Sequence, residues 1–147
     1  MTMYDASEYS VTPKISALHS NELDSFTQCG TWGSAIQRAA IAATARAARS
    51  EAGLQVAVAE AKRDAGGLPD AALELARELA LGGTAIDRDY FNRIMGEGVT
   101  EGAYVEIVSV VARLVNLDVF ARGIGVTPQP LGTVSADSKP SFNRPPE

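Results

Sequence analysis

Glu106 and Arg113 are the two residues of this chain best placed to do chemistry together. They stand seven positions apart in VTEGAYVEIVSVVARLVNLDVFARGIG, residues 99–125, a stretch that is otherwise mostly apolar. Seven positions are two helical turns, so both side chains share one helix face, with Ser109 between them and Asn116 beyond. A carboxylate in apolar surroundings is a common acid or base catalyst, and a neighbouring guanidinium suits a carboxylate substrate. The same two residues also read as an ion pair, within or between subunits, that fixes helix register. Both readings stand at this level.

Cys29, in Gln28-Cys29-Gly30, is the only thiol. With no second cysteine to resolve an oxidised sulfur it would need an external thiol to turn over, and a partly buried structural cysteine is the simpler expectation. His19, the only histidine, has no Ser or Cys with an orienting acid beside it in a readable motif. Arg38, Arg46 and Arg49 read either as an anion pocket completed by Arg113 or as a solvated face. Asp118 and Arg122, at i and i+4, read as a helix-surface pair. No phosphate-cradling glycine loop, two-histidine zinc motif or dinucleotide fingerprint is present, so neither metal nor cofactor is expected.

Rigid elements must hold these residues. Thr100 is a good N-cap, Glu101 suits the positive end of a helix dipole, and Arg122, Gly123 and Gly125 mark the other end, which predicts one long helix. Its polar residues Glu106, Ser109, Arg113 and Asn116 form one narrow stripe, and the rest of its circumference is expected to be covered by the core, by a second subunit, or by both. Ser34-Ala35-Ile36-Gln37 has the form of a capping box and opens an Ala-rich helix with the stripe Ile36, Ala39, Ala40, Ala43 and Ala47. Gly53 interrupts it. A further helix is expected over Leu54–Ala65, stopped by Gly66-Gly67. Pro69 then opens one with the stripe Ala72, Leu73, Ala76, Leu79 and Ala80, ended by Gly82-Gly83. A short helix over Asp87–Met95 carries Tyr90 and Phe91, which with Tyr104 read as core or interface aromatics. Residues 1–19 read as an irregular arm, Ser20 as the cap of a short helix through Phe26, and the proline-containing stretch 126–147 as an extended tail lying along a surface. The expected fold is all-α, with one helical domain over residues 20–125.

A chain of 147 residues can form one ordinary domain with a core that needs no disulfides. The net charge of -5, with dispersed Lys and Arg, argues against nucleic acid or an acidic membrane surface as a partner. A single cysteine and an amino terminus, MTMYDASEYS, without a basic and apolar leader fit a cytoplasmic protein. Glu106, Arg113, Asn116 and Asp118 would make the long helix costly in a bilayer.

Gly30-Thr31-Trp32, Arg38 to Ala43, Leu68-Pro69, Tyr104 to Ala112 and Phe120 to Gly125, followed by Pro140-Ser141 and Arg144-Pro145, together resemble the carboxymuconolactone decarboxylase and alkylhydroperoxidase AhpD-like superfamily. The likeness covers roughly residues 28–147 and is nearest to the alkylhydroperoxidase-related proteins. It implies an AhpD-like helical bundle around one long central helix, assembled as a homodimer or higher homo-oligomer. The peroxidase branch of that superfamily reduces hydroperoxides with a Cys-x-x-Cys pair, assisted by Glu and His. In this sequence the two cysteine places fall near Glu51 and Leu54, the histidine place near Val58, and the glutamate place at Gln37. The stretch between Gly53 and Leu68 is also shorter than the resemblance implies.

The leading expectation is therefore an alkylhydroperoxidase-related homo-oligomer without the redox pair, lacking thiol peroxidase activity and open to a small apolar or anionic ligand. One alternative is a decarboxylase-like or isomerase-like enzyme using Glu106 and Arg113. Another is a true peroxidase whose Cys-x-x-Cys segment is missing from this sequence. Catalytic candidates are Glu106 and Arg113, with Cys29 a distant third.

Overall fold

The computed structural model describes residues 3–54, 60–136 and 140. Among them are five helices, α1 Pro13–Ser25, α2 Ala35–Glu51, α3 Asp70–Ala80, α4 Arg88–Gly96 and α5 Glu101–Gly123, and no strand. The protein is all-α. No helix of the described residues is long and apolar enough to cross a membrane.

Helix starts follow local chemistry closely. Ser34 Oγ accepts from the Gln37 amide at 3.2 Å while Gln37 Oε1 accepts from the Ser34 amide at 3.0 Å, the reciprocal bonds of a capping box. Asp87 and Thr100 cap α4 and α5 through the amides of Tyr90 and Ala103, at 2.8 and 3.2 Å. At the end of α3, Gly82 and Gly83 take positive φ values of 112° and 70°, and the Gly83 amide reaches back to the Glu78 carbonyl at 3.0 Å.

Two expectations about elements are corrected and one is refined. The first helix starts at Pro13, not Ser20, because Thr12 supplies the cap and proline, with no N–H to lose, fits the first turn. The segment before it is irregular over residues 3–12, as expected, but it is held to the domain. Tyr4 is buried against Phe120 and Ala121, and its hydroxyl lies 2.6 Å from His19 Nδ1. Of the helix expected over 54–65, residues 55–59 lie outside the described residues, and 60–65 are irregular. Gly53, at φ 80°, ends α2, while Glu60 turns into the interior instead of facing water.

The interior is built where α2, α3 and α5 pack on one another. In α2, ten of 17 residues are buried, against eight of 23 in α5, so the Ala-rich helix occupies the centre more fully than the long one. Alanine permits this because its small side chain lets neighbouring helices approach closely. On α3 the buried stripe is Ala71, Ala72, Leu75, Ala76 and Ala80, which places Leu75 at the centre and leaves Leu73 half-buried. Leu75 joins Phe26, Ile41, Ile94, Ile107, Val110 and Leu114 in one apolar cluster. The tail lies along the domain's own surface as far as it is described, with Leu131 buried and the Ser135 amide bonded to the Thr27 carbonyl at 2.9 Å.

The long helix is covered by the core on one side. Ile107, Val110, Val111, Leu114, Leu117 and Ala121 face the core, but Val105 and Val119 are 57% and 55% exposed, and Ala112 is exposed as well. Among the described residues of one copy, the outer side of the rod is left partly open.

Two substitutions probe this packing. Leu75→Ala removes a fully buried side chain at the meeting of three helices and should cost about 2–5 kcal/mol in urea unfolding. Tyr90→Phe removes a buried hydroxyl that has no hydrogen-bond partner, and should be neutral or stabilising by up to about 1–2 kcal/mol in the same measurement. A loss above 1 kcal/mol, by this order of magnitude, would show that the hydroxyl is satisfied in solution.

Candidate functional site

Glu106 is buried, 6% exposed, on the first turns of α5. One carboxylate oxygen is held by Arg38 Nη1 from α2, and the other accepts the backbone amide of Trp32 at 3.0 Å. Arg38 Nε donates to the Ser25 carbonyl at 3.1 Å, so this guanidinium also pins the end of α1. The loop between α1 and α2 wraps around the pair. A methyl group placed on Gly30 would overlap the Glu106 carboxylate, and one on Gly102 would overlap the Trp32 indole, which lies over the first turn of α5. Glycine at both positions permits this close approach.

Arg113 is not part of that arrangement. Its Nε donates to the Ser109 carbonyl at 3.3 Å and lies 3.7 Å from Glu22 of α1, while its guanidinium carbon is 5.8 Å from the centre of the Phe26 ring. The ion-pair reading of Glu106 is therefore right in kind and wrong in partner. The two catalytic candidates each face a separate oppositely charged neighbour, and no acid–base couple is formed between them.

A second buried cluster lies farther along the same two helices. Arg46 Nε and Nη2 make a two-pronged contact with Asp118, at 3.1 and 2.8 Å, and Nη1 donates to Glu60 at 2.8 Å. All three side chains are nearly inaccessible, at 1%, 2% and 6% exposure. Burial opposes the Arg46 charge, but the hydrogen bonds and charges of Asp118 and Glu60 outweigh it and raise the guanidinium pKa above its ordinary value. Glu60 also accepts the Leu131 amide at 3.0 Å, which ties the tail to this cluster. Asp118 is thus no surface partner of Arg122, as its spacing led one to expect.

The anion pocket expected from four arginines is not assembled. Arg38 and Arg46 are occupied by carboxylates, Arg113 faces Glu22, and Arg49 donates to the Ala80 carbonyl at the end of α3, at 3.0 Å. Cys29, half-buried, sits in the Glu106 loop with no second cysteine in the chain. His19 is engaged by Tyr4 and packs edge-on against Phe120. Among the described residues, no group of three or more His, Cys, Asp or Glu is placed to hold a metal ion.

What space remains beside Glu106 is small. A cavity of about 20 Å³, lined by Trp32, Gln37, Ile41, Leu68, Ala103 and Ile107, touches the carboxylate. That is room for about one water molecule, not for an organic substrate. A larger cleft of about 730 Å³ lies elsewhere, between α2 and α3, with Thr44, Ala47, Glu51, Lys62, Asp70 and Arg77 on its walls. Sequence reasoning missed the Arg38–Glu106 and Arg46–Asp118 partnerships. The available signal was two charges set among apolar residues on each of two helices, Arg38 and Arg46 on α2 and Glu106 and Asp118 on α5, because a buried charge requires an opposite one nearby.

If Glu106 is a structural pin, its removal should be costly. Glu106→Gln leaves Arg38 buried and uncompensated and should cost about 3–5 kcal/mol in urea unfolding. The double substitution Arg38→Met with Glu106→Leu should cost clearly less than the sum of its single changes. Additive losses would mean that the pair is not coupled.

Comparison with protein-family models, with curated proteins and with solved structures returns no match. The likeness to the AhpD-like superfamily rests on the residues of this sequence alone.

Proposed function

We propose that this chain is an AhpD-like helical protein of the alkylhydroperoxidase-related kind that acts without thiol redox chemistry, as a self-associating scaffold able to take a small ligand. The observation that carries the reading is the closure of Glu106. Its two oxygens are already bonded to Arg38 and to the Trp32 amide, and the neighbouring cavity accommodates about one water. A carboxylate so engaged braces a loop, and the space beside it leaves no room for a substrate to present a proton.

The sulfur side of the argument is compositional. Thiol peroxidases of the resembling branch attack peroxide with one cysteine and resolve the product with another. This chain has one cysteine, so the intramolecular cycle has no second half. Self-association is supported by the valines left open on α5. Ligand binding is supported by the cleft of about 730 Å³, a size ordinary for small-molecule sites. The alternative of a decarboxylase-like enzyme built on Glu106 and Arg113 finds no comparable support, since the two groups face different neighbours.

The reading is tested by peroxide consumption with dithiothreitol as reductant. The purified chain should consume hydrogen peroxide or cumene hydroperoxide no faster than dithiothreitol alone, and Cys29→Ser should change nothing. Catalytic turnover lost in Cys29→Ser would establish a working thiol, while turnover that survives it would require different chemistry. Either result overturns the proposal.

A further inference from the structure

Of Arg38, Arg46, Arg49 and Arg113, Arg49 alone meets no carboxylate among the described residues. Its Nη1 donates to the Ala80 carbonyl at 3.0 Å, and its Nε is shut off from water without a hydrogen-bond partner. A guanidinium carries five N–H donors in a planar fork, so this one retains capacity for an anion. Arg122, in the last turn of α5, is exposed and likewise enters no ion pair among the described residues. Both arginines line one groove of about 460 Å³, together with Leu54 and Val119. Asp118 borders it too, but both of its oxygens are bonded to Arg46.

The groove does not stop at these cations. A second one of about 260 Å³ shares Arg49 and Leu54 with it and continues past Val115 and Ala112 to Leu81. Arg122 and Ala112 are ten positions apart on α5, so the two grooves together follow the helix for about 15 Å. Leu54, Leu81 and Val119, all more than a third exposed, give this trough open apolar walls. Two cations at one end and hydrocarbon along the rest match a molecule with a single charged head and an apolar body. The Asp118 carboxylate on the same wall disfavours a doubly charged head such as a phosphate ester.

We propose that this trough binds an organic monocarboxylate with an extended apolar body, of the fatty-acid kind. The carboxylate sits between Arg49 and Arg122, and the chain runs past Val119 and Val115 toward Leu81. Burial of the chain supplies most of the affinity, while the two guanidinium groups select the carboxylate and fix its direction. The proposal goes beyond the reading above, which rests its ligand in the cleft between α2 and α3, and it draws on different residues.

Titration of the full chain with octanoate, followed by amide proton–nitrogen NMR, should show saturable shifts at Leu54, Val115, Val119 and Arg122. Acetate, which has the head without the body, and 1-octanol, which has the body without the charge, should each bind at least about tenfold more weakly. Arg122→Gln and Arg49→Gln should each weaken octanoate binding about fivefold to tenfold and leave 1-octanol unaffected. Arg49 also holds the Ala80 carbonyl, so the exposed Arg122 gives the measurement that does not depend on the packing of α3. Arg88→Gln, at an exposed position of α4 outside the trough, should change nothing. Octanoate binding no tighter than that of 1-octanol, or unchanged in Arg122→Gln and Arg49→Gln, overturns the proposal. Shifts confined to Thr44, Leu73 and Arg77 overturn it as well, but support the cleft between α2 and α3 as the ligand site. No saturable shift at millimolar octanoate overturns this site and leaves the reading above to be judged on that cleft.

Discussion

Arg38 and Arg46 enter the interior from the same side of α2, and each meets there a carboxylate carried by α5, Glu106 for the first and Asp118 for the second. Both numbers rise together along the two helices, so α2 and α5 run in the same direction and are tied at two levels. Taking ions out of water costs several kcal/mol each, and this is offset only where opposite charges and hydrogen bonds meet most of their needs. The surrounding chain supplies those partners. Ser25, Trp32, Glu60 and Leu131 all place a backbone or carboxylate group on one of the two clusters. The loop after α1, the segment after α2 and the tail after α5 are therefore fixed by the same two arginines.

The same pairing sets the surroundings of Glu106. Glu106 has the burial expected of an acid–base catalyst, but the basic partner that makes the burial tolerable also occupies the carboxylate. The glycine loop reaches it at contact distance through Gly30, and Trp32 covers the neighbouring turn against Gly102. A site that performs proton transfer needs an acceptor free to change its bonds and a space for the reacting atom. Here both carboxylate oxygens are bonded, and the space beside them holds about one water.

The two sides of α5 obey different demands. Its inner side repeats at intervals that follow the helical period and fills the core with Ile107, Val110, Leu114 and Leu117. The outer side keeps β-branched valine where water would favour charge, and confines charge to its ends. Among the described residues, Val105, Ala112 and Val119 on that outer side are left exposed.

Much of the local structure was determined by sequence alone, because it depends on neighbours along the chain. Ser34 with Gln37, Thr100 and Asp87 announce helix starts, paired glycines announce ends, and the mainly apolar run after Thr100 announces a helix needing cover on more than one side. Where local cues were incomplete, the outcome differed: Thr12 and Pro13 began α1 earlier than Ser20, and residues 60–65 gave up helix so that Glu60 could reach Arg46. The identity of ion-pair partners was decided only by tertiary structure. Arg113 is nearer to Glu106 in sequence and on the same helix face, yet Arg38 pairs with it from 68 residues away. Spacing reports which residues share a face, but a buried charge is matched by whatever the folded chain brings within reach, and only the packing of α1, α2 and α5 determines what that is.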